Sequence, residues 1–375
     1  MRGRLAALLA LALLFLDGCA ALAPTPPPSL PVADLLLVGF TGTEVPGNEE
    51  VRHLVCDVKV GGVILFERDV ATGKPRNLVS PEQITRLTSD LQTLAAGCVG
   101  RPLFIAADNE GGRVMRLSTR LGYPPFPSAE ALGRSDDVDA TRREARRMGE
   151  ALRAAGINWN LAPVVDVAVN PANPAIVALG RSFSADPARV TAHARAFIEG
   201  MHEAGVLTAL KHFPGHGSSL TDSHAGFTDV TDTARLDQEL APYRALIALG
   251  LADSIMTAHV FNRGLDPWDP ATLSPYTVNR VLRGWLGYHG VVVSDDLLMG
   301  AIVRHYGLEE ASVAALAAGV DVLLISQNST RGEPGGAPER VVAAVDRALA
   351  GATLSRSRVT AALAHVSALR SRLTP

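Results

Sequence analysis

The sequence predicts an α/β protein folded as a (β/α)8 TIM barrel, and three observations carry that expectation. Short apolar runs alternate with helical stretches through the whole chain, eight times over. Most runs are continuous rather than alternating, as parallel strands buried on both faces require. Several end in charged or imidazole side chains, at the rim where such a barrel places its chemistry.

The N-terminus stands apart from this pattern. Arg2 and Arg4 precede twelve apolar residues, Leu5 to Leu16, the length of a signal-peptide core and too short to span a bilayer. Two processing sites fit. Leu16-Asp17-Gly18-Cys19 resembles a lipobox, in which Cys19 would carry the lipid, although Asp17 departs from the small or apolar residue usual there. Ala21-Leu22-Ala23 is an ordinary A-x-A site. Five prolines among residues 24–31 then form an extended spacer. The expected plan is a signal peptide over 1–18, a Pro-rich linker over 19–32 and one barrel domain over 33–375. The protein would be exported to the periplasm or cell envelope, anchored through Cys19.

The strand candidates are Leu35–Gly39, Gly62–Phe66, Leu103–Asp108, Asn158–Asp166, Leu207–Phe213, Ser254–His259, Val291–Asp295 and Asp321–Ser326. Helices are expected over Pro81–Leu94 behind Ser80 as cap, Asp139–Ala155 up to Gly156, and Pro187–Ala204 behind Asp186. Leu236–Leu249, Thr277–Leu286, Leu308–Ala318, Glu339–Leu349 and Ser357–Leu373 complete the series. A doubly wound sheet is the alternative, but no G-x-G-x-x-G opens a helix here. Cys56 and Cys98 could pair in an oxidising compartment or stand as separate core residues; spacing leaves both open. A net charge of −3 without a basic block argues against a nucleic-acid partner.

The polar residues closing the runs are Asp108 with Glu110 and Arg113, then Asp166, Lys211, His212, His259, Asp295 and Asp296. Charge at a buried strand end is costly unless it has a partner or a task. Residues 211–224 read Lys-His-Phe-Pro-Gly-His-Gly-Ser-Ser-Leu-Thr-Asp-Ser-His. This segment resembles the signature of family-3 glycoside hydrolases, in their β-N-acetylglucosaminidase branch. The resemblance extends, in order, through Ala106–Val114, Asn160–Val167, Gly180–Phe183, Pro270–Ser274 and Val293–Met299, nearly the whole mature chain.

Retention at a glycosidic carbon needs a nucleophile on one face and a proton donor on the other. Asp295, at a rigid strand end, is placed for the first role, and the resemblance implies the same; Asp296 would point away as a structural residue or cap. For the second, the resemblance implies a His224–Asp222 dyad on the loop after the fifth strand. An imidazole oriented by a carboxylate can donate and accept protons near neutrality. Gly215 and Gly217 suggest that this loop moves and brings His224 over bound sugar, with His216 structural. Asp108, Arg116, Arg181, Lys211 and His212 are the expected hydroxyl-binding residues, and Met299 would pack near the ring. For each, the competing structural reading is a salt bridge or core contact at the barrel rim.

No cofactor and no metal are expected. His212 and His216 are four apart, but Pro214 and Gly215 between them forbid the helix that would aim both at one ion. The implied substrate is an amino-sugar oligosaccharide or muropeptide, and the membrane is met only through the lipid. A monomer is expected. A non-catalytic sugar-binding lipoprotein lacks support, since Asp295, Asp222 and His224 are all present. A β-glucosidase of the same family is the nearer alternative. Those relatives take their acid/base from a further C-terminal domain, for which the two helices left after the eighth strand give no room. Whether water or phosphate resolves the intermediate stays open.

Overall fold

Eight short parallel strands, every residue of them buried, form the centre of the molecule: β1 (Leu36–Val38), β2 (Gly62–Ile64), β3 (Phe104–Ala107), β4 (Trp159–Asn160), β5 (Leu207–Phe213), β6 (Ser254–Thr257), β7 (Val291–Val293) and β8 (Leu323–Ile325). The computed structural model describes residues 29–224, 226–329 and 335–373. The expected signal segment and Cys19 lie outside them. Each strand pairs with its sequence neighbour, β8 returns to β1, and a bridge between Val293 and Val322 joins β7 to β8. The sheet is thus a closed ring.

Large side chains fill the barrel. Trp159 is fully buried, tilts against Phe104 at 5.2 Å and donates its indole N–H to Ser254 Oγ at 3.1 Å. That partner lets the indole sit in an apolar interior without an orphaned donor. The main helices outside are α1 (Pro81–Cys98), α2 (Val138–Ala154), α3 (Pro187–Glu203), α4 (Leu236–Glu239), α5 (Ala241–Ala248), α6 (Leu308–Ala318), α7 (Ala337–Ala350) and α8 (Arg356–Arg370). Ser80, Asp137, Asp186 and Ser355 cap α1, α2, α3 and α8 through their side chains.

Several expectations need correction. The packed body begins at Pro31, and Val32, expected in the linker, is buried in the one-turn helix Val32–Leu35. The expected strand Asn158–Asp166 is regular for only two residues. Pro163 has no amide to donate, so the ladder stops, although β5 still bonds to the carbonyls of Ala162 and Pro163. The stretch 236–249 is two helices, because Pro242 in the first turn of α5 cannot bond back across the join. Residues Tyr276–Trp285 form a π-helix rather than an α-helix. The pairing that spacing leaves open is present: Cys56 and Cys98 form a disulfide, Cα atoms 5.0 Å apart, tying the end of α1 to the π-helix His53–Val58 before β2.

At the N-terminal ends of the strands, Asp34 pairs with Arg101 at 2.9 Å and with Arg370 on α8, so the first turn is fastened to the last helix. The opposite end, where the strands run out, carries the site.

Candidate active site

A cavity of about 550 Å³ opens at the C-terminal ends of the strands, lined by Asp108, Glu110, Lys211, His212, His224 and Asp295 among others. A larger cavity of about 670 Å³ lies at the N-terminal end, walled by Ala96, Pro102, Ile157 and Leu373. It is mostly apolar and holds no acid, base or nucleophile beyond two arginines. The chemistry therefore belongs to the smaller one.

One wall is a dense buried network. Lys211, at the end of β5 and 2% exposed, donates to Asp108 and to Glu110, each at 2.8 Å. Arg181 grips Glu110 with two nitrogens at 2.8 and 2.7 Å, and gives further bonds to the Ala175 carbonyl and to His212 Nε2 at 3.2 Å. A guanidinium can only donate, so His212 Nε2 is the acceptor and Nδ1 carries the proton. That proton goes to Asp166 at 2.7 Å. Arg116 completes the wall, 3.1 Å from Asp108 and lying over the Phe66 ring.

Burial alone would drive these carboxyls toward neutrality. For Glu110 the charges of Arg181 and Lys211 outweigh it, for Asp108 those of Lys211 and Arg116, and for Asp166 its pairing with His212. All three are held below the usual carboxylate range. Lys211 is likewise held above its ordinary value: burial opposes its charge, and Asp108 and Glu110 outweigh burial. The wall is a preorganised set of charges, suited to binding hydroxyls through its unspent donors.

A second wall is made by the end of β7 and the loop after β5. Asp295 Oδ1 accepts the amide of Asp296 at 2.8 Å, which fixes the carboxylate at the strand end. Its burial is outweighed by His259, His212 and His224, and it stays ionised below its ordinary value. Asp296 behaves differently, although it too lines the cavity. Its oxygens are taken by the amides of Ser326 and Leu298 and by the Ser326 hydroxyl, so it laces β7 to β8. Burial raises it to about 6. Met299 is buried at the cavity edge.

His224 stands on the loop after β5 with two thirds of its side chain exposed. Its Nδ1 lies 2.7 Å from Asp222 Oδ1, and its amide donates to the same oxygen at 2.9 Å. A residue spacing of two is enough because the Asp side chain folds back over the turn. Asp222 falls to about 2 through that bond, and His224 rises above its ordinary value for the same reason, helped by the charge of Asp295. The two catalytic candidates thus face one cavity and feel each other's charge.

His216 braces the base of this loop. Its amide donates to Asp166 at 2.7 Å, and its ring nitrogens bond Ser219 and Ser223 at 2.7 and 3.0 Å. Burial and the neighbouring His212 lower it to about 4, so it is neutral. The His212 and His216 rings meet edge-on at 5.9 Å, each committed to protein partners, and do not converge on one ion.

The sequence marks Glu110 and Asp166 as strand-end charges but assigns them no role and does not link Glu110 to Arg181. The available signal was Glu110's position two residues after Asp108, on the same face of an extended chain. His259, which the sequence assigns no role, is buried between Thr272 Oγ1 at 2.8 Å and the Asp296 carbonyl at 2.9 Å, supporting the end of the strand that carries Asp295.

Residues 31–369 match the glycosyl hydrolase family 3 N-terminal domain. A β-hexosaminidase of Stenotrophomonas maltophilia is 39% identical over 301 residues, 78% of this chain and 83% of that one. The solved structure of a family-3 β-N-acetylglucosaminidase from Paenibacillus superposes with a TM-score of 0.83 at 38% identity, covering 91% of this chain and 62% of its own. A β-N-acetylhexosaminidase from Beutenbergia cavernae gives 0.80 at 31% identity over 91% of this chain and 97% of its own. With the barrel, the strand-end carboxylate and the family match together, the chain belongs to glycoside hydrolase family 3, a glycoside hydrolase that groups with the family's β-N-acetylglucosaminidases.

Proposed function

We propose that this protein is a retaining exo-β-N-acetylglucosaminidase that removes non-reducing terminal GlcNAc from peptidoglycan fragments, exported, lipid-anchored through Cys19 and monomeric. The observation that carries the mechanism is the placement of Asp295 and the His224–Asp222 pair on one cavity, each charge biasing the other. Asp295 attacks the anomeric carbon as the bond to the leaving oxygen breaks, giving a glycosyl ester. Protonated His224 gives its Nε2 proton to that oxygen. Neutral His224 then takes a proton from the acceptor that cleaves the ester, and Asp295 leaves as carboxylate. Asp222 keeps the imidazolium available and the ring oriented throughout. Asp108, Lys211, Arg116 and Arg181 hold the sugar, and His212, both nitrogens spent on Arg181 and Asp166, backs that wall.

The test is turnover of 4-nitrophenyl N-acetyl-β-glucosaminide by wild type, Asp295→Ala and His224→Ala. Asp295→Ala is expected to lose at least about 10⁴-fold in kcat. Turnover of the glucoside in place of the amino sugar would overturn the specificity. Incorporation of labelled palmitate that survives Cys19→Ala would overturn the anchor.

A further inference from the structure

Beneath the loop that carries Asp222 and His224 lies a carboxyl group that the mechanism does not use. Glu239, at the end of α4, is 1% exposed. Its Oε2 accepts the Arg235 amide at 2.8 Å, while Oε1 makes no hydrogen bond of ordinary geometry. The residue facing it is Ser218, fully buried, whose hydroxyl has no other partner. Gly215 presses on it from above. A Cβ there would stand 2.7 Å from both Glu239 Cβ and Oε1, and φ at Gly215 is +147°. The loop's first turn is thus shaped to lie on this side chain. From the same turn His216 reaches Ser219 and Ser223, the residue between Asp222 and His224.

We propose that Glu239 is a positioning residue: its carboxyl is the seat of the Gly215–Ser218 turn, and through His216 and Ser223 it sets where the Asp222–His224 pair stands. The inference rests on the acid/base reading of that pair. Glu239 acts as a neutral acid. The groups around it are Asp166, whose charge opposes ionisation, the buried Tyr243 hydroxyl on α5, and His216, which is neutral. Arg235, on its own side, spends its guanidinium on the Thr233 and Ala234 carbonyls. Burial accordingly raises Glu239 to about 7. Below that pH its O–H can be given to Ser218; above it an unpaired charge lies under the loop.

The experiment compares wild type, His224→Ala, Glu239→Ala and Glu239→Gln on two substrates. N,N′-diacetylchitobiose needs its leaving oxygen protonated, whereas 4-nitrophenyl N-acetyl-β-glucosaminide needs this far less. Glu239→Ala is expected to lose about tenfold or more in kcat on the first and less than about threefold on the second, as a displaced acid would. Glu239→Gln, which keeps shape and neutrality, restores chitobiose turnover to within about twofold of wild type. Equal losses on both substrates in Glu239→Ala, beside a split in His224→Ala, would overturn this inference alone. Equal losses in His224→Ala would overturn the acid/base reading and the inference with it. If Glu239→Ala does not fold, Glu239→Gln decides. Wild-type Tm should fall more steeply than the Glu239→Gln variant's between pH 5 and 8, since Asp296 and His224 titrate in both; parallel curves overturn the proposal.

Discussion

Two His–Asp pairs meet in this site with the same Nδ1-to-carboxylate distance, 2.7 Å, and opposite surroundings. His212 and Asp166 have side chains 7% and 0% exposed, at the ends of a strand and of its neighbour. His224 and Asp222 are 66% and 37% exposed, on a loop. In the first pair Nε2 is already capped by Arg181, so the ring has no nitrogen left to exchange a proton with a substrate. In the second, Nε2 is open to the cavity. Identical geometry therefore gives a structural strut in one place and, in the proposed mechanism, a proton donor in the other. The difference lies in what the far nitrogen touches.

The contrast predicts separate costs. Arg181→Met should leave Glu110 buried with only Lys211 and free His212 from its cap. Removing one member of a buried charge pair costs about 3–5 kcal/mol, which a denaturant midpoint would register before any assay does. Unchanged stability would mean that the wall is a set of binding groups and not a scaffold. His224→Ala should leave stability within about 0.5 kcal/mol, as exposed substitutions do, and lower kcat on chitobiose by about 10²–10⁴-fold. A large drop in Tm would place His224 among the struts and remove the distinction.

The unequal legibility of the two pairs follows from the chain. His224 and Asp222 are two residues apart, and a loop with glycines at 215 and 217 is visible in the sequence. Asp166 and His212 are 46 residues apart and become neighbours only when β4 and β5 pair. The same holds for Glu110 and Arg181, separated by 71 residues. Strand β5 coincides with its expected range because Leu207–Leu210 lead into Lys211–Phe213, and Pro214, with no amide to donate, stops the ladder. The end of β4 does not, since a proline interrupts a run whose composition still reads as strand. The disulfide was open for a different reason: two cysteines at a spacing of 42 carry no geometry until α1 and the π-helix before β2 fix their separation.

The finest distinction between the pairs is in pH dependence. Asp222 raises His224 above the ordinary imidazole value, so the acid form that the proposed first step requires persists to higher pH than an isolated histidine would allow. The sign is fixed by this: activity is present below the raised value and is lost as pH climbs through it. Asp222→Asn removes the charge and leaves an acceptor for the Nδ1 proton. The alkaline limb of kcat/KM should then move to lower pH, with a loss of about tenfold or less at pH 7 for substrates with poor leaving groups. Asp166→Asn, at the buried pair, should cost stability and leave the position of that limb unchanged, because His212 offers no nitrogen to the substrate. A limb that moved equally in both variants would mean that the imidazole titrating in catalysis is not the exposed one.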